Sequence, residues 1–194
     1  MALKKLLAAA AFSLTSLTTL AAPVTVNPGE LTAFGPVTAV FAFKDAADQS
    51  QLLAVDVMGT IFNNQTTAIG TSVNVGNVGP FPKTITFELK NNSEGYSFFT
   101  GIIDGPTGYY YAKYSNNFAD FGQGPLSAAA QAAVNALQGD VLYVGFEDRR
   151  RGDYDYNDLI FAFSSLRAVP EPASLALLGV GLLGVAALRR RKQA

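Results

Sequence analysis

The sequence predicts a mainly β fold, an antiparallel β-sandwich of jelly-roll or immunoglobulin-like type carrying one short helix. Three observations lead there. Seven runs of strand length are rich in β-branched and aromatic residues: 37–43 (VTAVFAF), 52–58 (LLAVDVM), 84–90 (TITFELK), 96–103, 109–114 (YYYAKY), 141–146 (VLYVGF) and 159–163 (LIFAF). Gly, Asn and Pro clusters separate them, as at Asn91-Asn92-Ser93-Glu94-Gly95 and Asp104-Gly105-Pro106. Helical spacing occurs in one central stretch, where Leu126, Ala130, Ala133, Val134 and Leu137 recur between Pro125 and Gln138, and Gly139 is placed to end it. Short strands at such intervals suit a sandwich, with the helix over one end or edge of the sheets. Weaker strand candidates lie at 24–26, 61–63 and 69–75.

Both ends of the chain read as addresses. At the start, Lys4 and Lys5 precede an apolar run over 6–20, then Ala21, Ala22 and Pro23. This is the pattern of a secretory signal peptide, 1–21, cleaved after Ala21. At the other end stand Val169-Pro170-Glu171-Pro172, an uncharged apolar run over 173–188, and Arg189-Arg190-Arg191-Lys192. The prolines keep their segment extended, so a helix begins only after Pro172. Sixteen apolar residues cover about 24 Å at ~1.5 Å per residue, short for a bilayer core but workable with snorkelling or local thinning. The cations then mark the cytoplasmic side. This tail resembles the PEP-CTERM protein-sorting signal of Gram-negative bacteria. The resemblance implies transient anchoring in the inner membrane, processing near Pro170-Glu171-Pro172 by an exosortase-type membrane protease, and delivery to the cell surface or extracellular matrix. The expected organisation is a signal peptide 1–21, a β domain 22–168, and a sorting signal 169–194 with its transmembrane helix at 173–188.

Removing the two signals changes the charge that matters. The chain as a whole is close to neutral, but residues 22–169 keep 14 acidic and 8 basic side chains. Such a surface does not suit nucleic acid. The chain has no cysteine, so an exported domain must be held together without disulfides, and a bound metal is one replacement. It has no histidine either, which removes Ser-His-Asp and Cys-His catalysis and His-based zinc sites.

The chemistry left is concentrated between the last two long apolar runs. Within 147–158 stand Glu147, Asp148, Asp153, Asp155 and Asp158, with the amide of Asn157 and the cations Arg149, Arg150 and Arg151. Carboxylates gathered so densely repel one another unless a cation sits among them, and Ca²⁺ takes 6–8 oxygens in flexible geometry. Alternation places Asp153, Asp155 and Asn157 on one side of an extended segment and Tyr154 and Tyr156 on the other. An EF-hand is excluded: its turn glycine would fall on Asp158, its bidentate glutamate on Ser164, and a strand follows where a helix is required. A calcium site here belongs to a β-hairpin. The alternative is a metal-free acidic turn in which the three arginines pair with the same carboxylates and Asn157-Asp158 simply shapes the turn.

Residues 145–161, with Glu147-Asp148 and Gly152-Asp153-Tyr154-Asp155-Tyr156-Asn157-Asp158 before an apolar strand, resemble the C-terminal signature of a family of secreted bacterial domains of unknown function related to the LruC type. The resemblance implies a β-rich extracellular module whose acidic motif binds calcium through Glu147, Asp148, Asp153, Asp155, Asn157 and Asp158. The functional expectation is a non-catalytic, calcium-stabilised surface or matrix protein. Two alternatives stand beside it: an exopolysaccharide-binding module using the tyrosines of 109–114 or the acidic loop, and a carboxylate-based hydrolase with two acids flanking a cleft. Arg151-Gly152-Asp153 also spells an integrin-type tripeptide, read as coincidence because the aspartate is better used inside the loop.

Overall fold

The computed structural model describes residues 27–76 and 78–169. The expected signal peptide, the candidate strand at 24–26 and the apolar run 173–188 lie outside the described residues. In chain order the strands are β1 (Glu30–Ala33), β2 (Val37–Lys44), β3 (Ser50–Ala54), β4 (Met58–Asn63), β5 (Ser72–Gly76), β6 (Lys83–Ile85), β7 (Phe87–Asn91), β8 (Tyr96–Phe99) and β9 (Ala112–Ser115). A 3₁₀ turn (Phe118–Phe121) and helix α1 (Ala128–Asn135) follow, then β10 (Val141–Phe146), β11 (Leu159–Ser164) and β12 (Leu166–Val169). They form three antiparallel sheets, ordered β12-β1-β6, β5-β2-β11-β10-β9 and β4-β3-β7-β8. The fold is mainly β with one α-helix among the described residues, as expected.

The five-stranded sheet is the centre because its middle strands are apolar on both faces. Along β2, Ala39 and Phe41 join the main core while Val40 and Ala42 join a second cluster on the other face. In β11, Leu159, Phe161 and Phe163 alternate in the same way with Ile160 and Ala162. Every residue of β11 is therefore buried, which is why it reads as an unbroken apolar run. The main core is shared with the four-stranded sheet. Phe41 and Phe161 stack on each other at 5.4 Å and each on Phe62 at 5.7 Å, while Phe87 meets Phe163 at 4.4 Å. Aromatic pairs of this kind add about 0.5–1.5 kcal/mol each beyond the burial itself.

The helix covers a face of this sheet rather than the end or edge expected. Ala130 and Val134 are buried, and Val134 packs with Val40, Ile160, Tyr143 and Phe118. The second apolar face of β2 and β11 requires such a cover. Ser127 accepts a hydrogen bond from the Ala130 backbone at 3.2 Å and so starts the helix later than the expected 125, and Gly139, with φ of 78°, lies just past its end.

Several expected strands are divided or trimmed. The run 52–58 is cut by a turn at Val55–Val57 in which Asp56 takes φ of 59°, a conformation aspartate tolerates better than its β-branched neighbours. The run 84–90 keeps its alternation, with Ile85, Phe87 and Leu89 all buried, yet it changes sheet at Thr86, so β6 pairs with β1 and β7 with β3. The run 96–103 ends as a strand at Phe99, leaving Ile102 and Ile103 exposed. In 109–114 the strand begins only at Ala112, after Tyr109 forms an isolated bridge with Asp104. The short strands β1 and β12 and the 3₁₀ turn have no counterpart in the expected elements.

Gly145 shows how tightly the hairpin of β10 and β11 is built. A Cβ there would lie 2.2 Å from the Tyr156 carbonyl oxygen and 2.5 Å from the Phe121 ring. Gly145→Ala is expected to destabilise the domain by about 3 kcal/mol, the upper end of ordinary overpacking costs, read as a lower urea midpoint with an unchanged slope. Gly59→Ala, which meets nothing within 4 Å, is the matched control and leaves the midpoint in place.

Candidate functional site: an acidic loop between β10 and β11

Strands β10 and β11 pair from Val141↔Ser164 to Phe146↔Leu159, and the acidic segment 147–158 is the loop that joins them. It leaves β10 with Glu147 and Asp148, both essentially buried at 1% and 2% exposure. The Glu147 backbone donates to the Tyr111 carbonyl at 3.1 Å, fixing the start of the loop on the segment before β9. The Asp45 and Ala46 backbones donate to the Asp158 carbonyl at 2.8 and 3.1 Å, fixing its end on the segment after β2.

Between those anchors the chain is not an extended strand. Arg151, Tyr154 and Tyr156 take φ of 60°, 59° and 61°, the left-handed region that side chains with a Cβ disfavour by roughly 1–2 kcal/mol per residue. Successive turns at Tyr154 and Tyr156 replace the simple alternation expected of 153–157. They send Asp153 and Asp155 toward Glu147: one carboxylate oxygen of each of these three residues lies within 4.8 Å of the others. Glu147 Oε1 accepts a hydrogen bond from the Tyr156 backbone at 2.7 Å. Its Oε2 is fully buried and has no hydrogen-bond partner. Gly152 stands over that oxygen, and a Cβ there would come within 2.5 Å of it.

The other three residues of the expected ligand set do different work. Asp158 Oδ2 accepts from the Asp148 backbone at 2.8 Å and closes the loop on itself. Asp148 Oδ2 faces the Ser50 hydroxyl at 3.5 Å. Asn157 donates from its side chain to Asp155 Oδ2 and thereby orients that carboxylate. An open cleft of about 340 Å³ lies alongside, lined by Asp45, Ala46, Ala47, Glu147, Asp148, Arg149, Gly152, Asp153 and Asp158.

The arginines of the loop turn outward. Arg149 donates to both oxygens of Asp48, at 2.6 and 2.7 Å, and Arg150 to both oxygens of Asp104, at 2.8 and 3.1 Å, while lying 4.5 Å over the Tyr96 ring. The Asp148 carbonyl accepts from the buried Asn91 side chain at 2.7 Å, and the Arg151 backbone donates to the Tyr111 hydroxyl at 3.1 Å. Two of the salt bridges among the described residues thus tie the loop to distant segments, the third joins Arg167 of β12 to Asp140, and none neutralises Glu147, Asp153 or Asp155. Arg149 and Arg150 pair with Asp48 and Asp104 rather than with the loop's own carboxylates, while Asn157 and Asp158 shape the turn as the metal-free alternative expects.

The electrostatics follow from that separation. Burial, reinforced by Asp158, Asp153 and Asp155, pushes the Glu147 carboxyl up to about 8, against the pull of the Tyr156 N–H. Burial and the Asp158 and Asp48 charges raise Asp148 to about 7. Asp155 and Asp158 are raised as well, again chiefly by burial. The hydrogen bond from Arg149 holds Asp48 below the usual carboxylate range; at Asp104 burial works upward, but hydrogen bonds from Arg150 and Thr107 prevail and hold it low.

Sequence reasoning located the loop and its acids. It did not find the arginine partners, which stand 101 and 46 residues away, nor the part played by Gly152. A glycine between an arginine and an aspartate was the available signal for a close approach.

The other functional segment begins where the folded domain ends. Residues 168–192 match the PEP-CTERM protein-sorting motif. The chain carries a PEP-CTERM sorting signal. No curated protein and no solved structure matches the chain. The signal implies an exported protein, anchored transiently in the membrane and processed by an exosortase, itself a membrane protein, before it reaches the surface or the extracellular space. Among the described residues no helix is long and apolar enough to cross a membrane. Val169, the first residue assigned to the signal, is the last residue of β12. The remaining signal residues, Pro170, Glu171, Pro172, Arg189, Arg190 and Arg191, lie outside the described residues.

The raised carboxyls make the metal-free domain sensitive to pH in a definite direction. Glu147 and Asp148 bind protons more tightly in the folded chain, at about 8 and about 7, than at their ordinary 4.5 and 3.8. Their contribution to stability is fully present below the ordinary values and is lost as pH rises through the folded ones. The melting temperature of the domain in chelator is therefore expected to fall steadily from pH 4.5 to pH 8. A flat or rising profile across that window, measured by circular dichroism, would contradict the burial of these groups.

Proposed function

We propose that the protein is a non-catalytic component of the cell surface or extracellular matrix whose β domain is stabilised by calcium held in the 147–158 loop. The observation that carries this reading is the buried Glu147 Oε2, a carboxyl oxygen without a hydrogen-bond partner beside two more carboxyl groups. Oxygens coordinated to one calcium ion at ~2.3–2.6 Å lie at most about 4.6–5.2 Å apart, which the 4.8 Å grouping of Glu147, Asp153 and Asp155 satisfies. These three supply the inner ligands. Asp148, Asn157 and Asp158 shape the loop around them, and water completes the shell on the exposed side of Asp153.

The same oxygen speaks against a hydrolase. A general acid must touch the bond it protonates, and Glu147 is closed off from solvent beneath Gly152. A single ion seated among the three carboxyl groups becomes part of the packing, whereas a general acid needs its oxygen exposed to the bond it protonates. The sugar-binding alternative loses its aromatic platform in a similar way. Tyr111 is a core residue stacked on Phe98 at 4.3 Å, and Tyr109 meets Tyr154 edge-on.

Millimolar calcium is expected to raise the melting temperature of the domain and to flatten its decline with pH, with reversal by chelator. Asp153→Ala and Asp155→Ala each abolish the response. Glu147→Gln removes the buried charge, so it melts at or above the parental temperature in chelator yet gains nothing from calcium. An unchanged parental melting temperature across a calcium titration would sink the reading.

A further inference from the structure

The sorting motif and the folded domain overlap. The motif begins at Ala168, and Ala168 and Val169 are the last two residues of β12, in register with Leu31 and Glu30 of β1. No spacer separates the strand from Pro170. Only Pro170, Glu171 and Pro172 stand between it and the apolar run that starts at Ala173. Fully extended, three residues reach about 10–11 Å, little more than the polar headgroup layer of one leaflet, about 5–8 Å. Until the tail is removed, the domain therefore sits against the membrane with the end of β12 at its surface. A protease that takes its substrate as an extended strand needs several residues on the domain side of its target, and in the closed fold those residues are hydrogen-bonded to β1.

The structure also shows how they are freed. β12 is the outer strand of the three-stranded sheet and pairs with β1 alone. Of its four side chains only Leu166 is fully buried; Ala168 is half-buried against the core, Val169 is exposed, and the exposed Arg167 pairs with Asp140 at 3.1 Å and lies 5.4 Å from the Phe34 ring, contacts that a surface side chain gives up at little cost. Ser165, at φ of 58°, makes a sharp joint between β11 and β12 and is itself held by the Phe34 backbone, which donates to its carbonyl at 2.9 Å; release of β12 up to that joint leaves β11 in place, held by two neighbours and two covered faces. An edge strand with one buried anchor belongs to the low-stability end of local opening. We propose that β12 is a releasable strand: the sorting protease acts on the chain after β12 has left β1 and takes Leu166–Val169 as the extended upstream part of its substrate. The inference rests on the sorting signal being processed, and the step it adds is conformational, preceding cleavage.

The test uses the full chain in a host that carries an exosortase, with tail loss followed by pulse-chase. Thr32 and Arg167 are register partners across β1 and β12, and the chain has no other cysteine to compete. Thr32→Cys with Arg167→Cys, cross-linked after export, should keep its tail and lose it once reductant is added. A Gly-Ser spacer of about eight residues inserted after Val169 should speed processing severalfold in the parental chain and restore it in the cross-linked one. A chain shown by gel shift to be cross-linked that still loses its tail at the parental rate overturns the proposal, as does a spacer that leaves the rate unchanged. Amide hydrogen exchange on the full chain in lipid vesicles decides the strand's release separately from any processing. The β12 amides should exchange well ahead of those shared by β10 and β11, and equal protection of the two overturns the proposal. If the parental chain kept its tail in the host while β12 exchanged rapidly, the reading of the tail would fall and the releasable strand would stand.

Discussion

One buried carboxyl group organises the hairpin at the centre of this protein. Glu147 follows directly on the inner strand β10, both of whose faces are covered, and is itself buried. One oxygen is satisfied by the Tyr156 backbone, which requires the chain to turn back through left-handed residues at Tyr154 and Tyr156. That return carries Asp153 and Asp155 into contact range of the other oxygen. The strain at the tyrosines, the glycine at 152 and the crowding of the acids are consequences of where one glutamate is placed. The aromatic rings reinforce the arrangement, since Tyr154 packs against Tyr109 and Tyr111 while the Tyr156 hydroxyl donates to the Tyr110 carbonyl at 3.1 Å.

The arginines complete the logic by leaving. Had Arg149 and Arg150 folded inward, they would have neutralised the acids and made a turn with no need of a cation. They reach instead to Asp48 and Asp104, one on each side, and clamp the loop to the segment before β3 and the segment after β8. Exposed ion pairs add little to stability, but bidentate geometry holds direction. With Asn91 bonded to both the Asp148 carbonyl and the Asp48 carboxylate, the loop is held at its shoulders while its negative interior stays uncompensated. A frame rigid outside and uncompensated inside is what a cation site of modest affinity requires.

Legibility in the sequence followed the range of the interactions. Strands with local signals were readable: β2, β10 and β11 lie where their apolar runs lie, and the helix is where its 3.6-residue spacing is, shortened by the Ser127 cap. What could not be read was pairing. Alternation continues unbroken through Ile85, Phe87 and Leu89 although the chain changes sheets between them, because burial repeats every second residue whichever partner supplies the hydrogen bonds. The strands β1 and β12 are four residues each and paired mainly with one another across most of the chain, so neither carries a strong local pattern. The acidic loop was legible as a density of carboxylates. Its division into three converging oxygens, a backbone cap and an orienting amide depended on left-handed tyrosines that no propensity favours.

The two ends of β11 serve opposite needs. Before it, the acidic loop secures the strand to the segment after β2 and to β10, in a chain that has no disulfide to do so. After it, a single residue at Ser165 passes the chain to β12, an outer strand already inside the sorting motif. An anchored domain must give up its last residues to a membrane protease without unfolding, and that is possible only if the element adjoining the tail is mechanically separate from the core. Extracellular calcium modules bind at about 10⁻⁴–10⁻³ M, so on the proposed calcium reading the three-carboxyl site would fill outside the cell. The ion would then hold β11 in place just where release of β12 begins to pull on it.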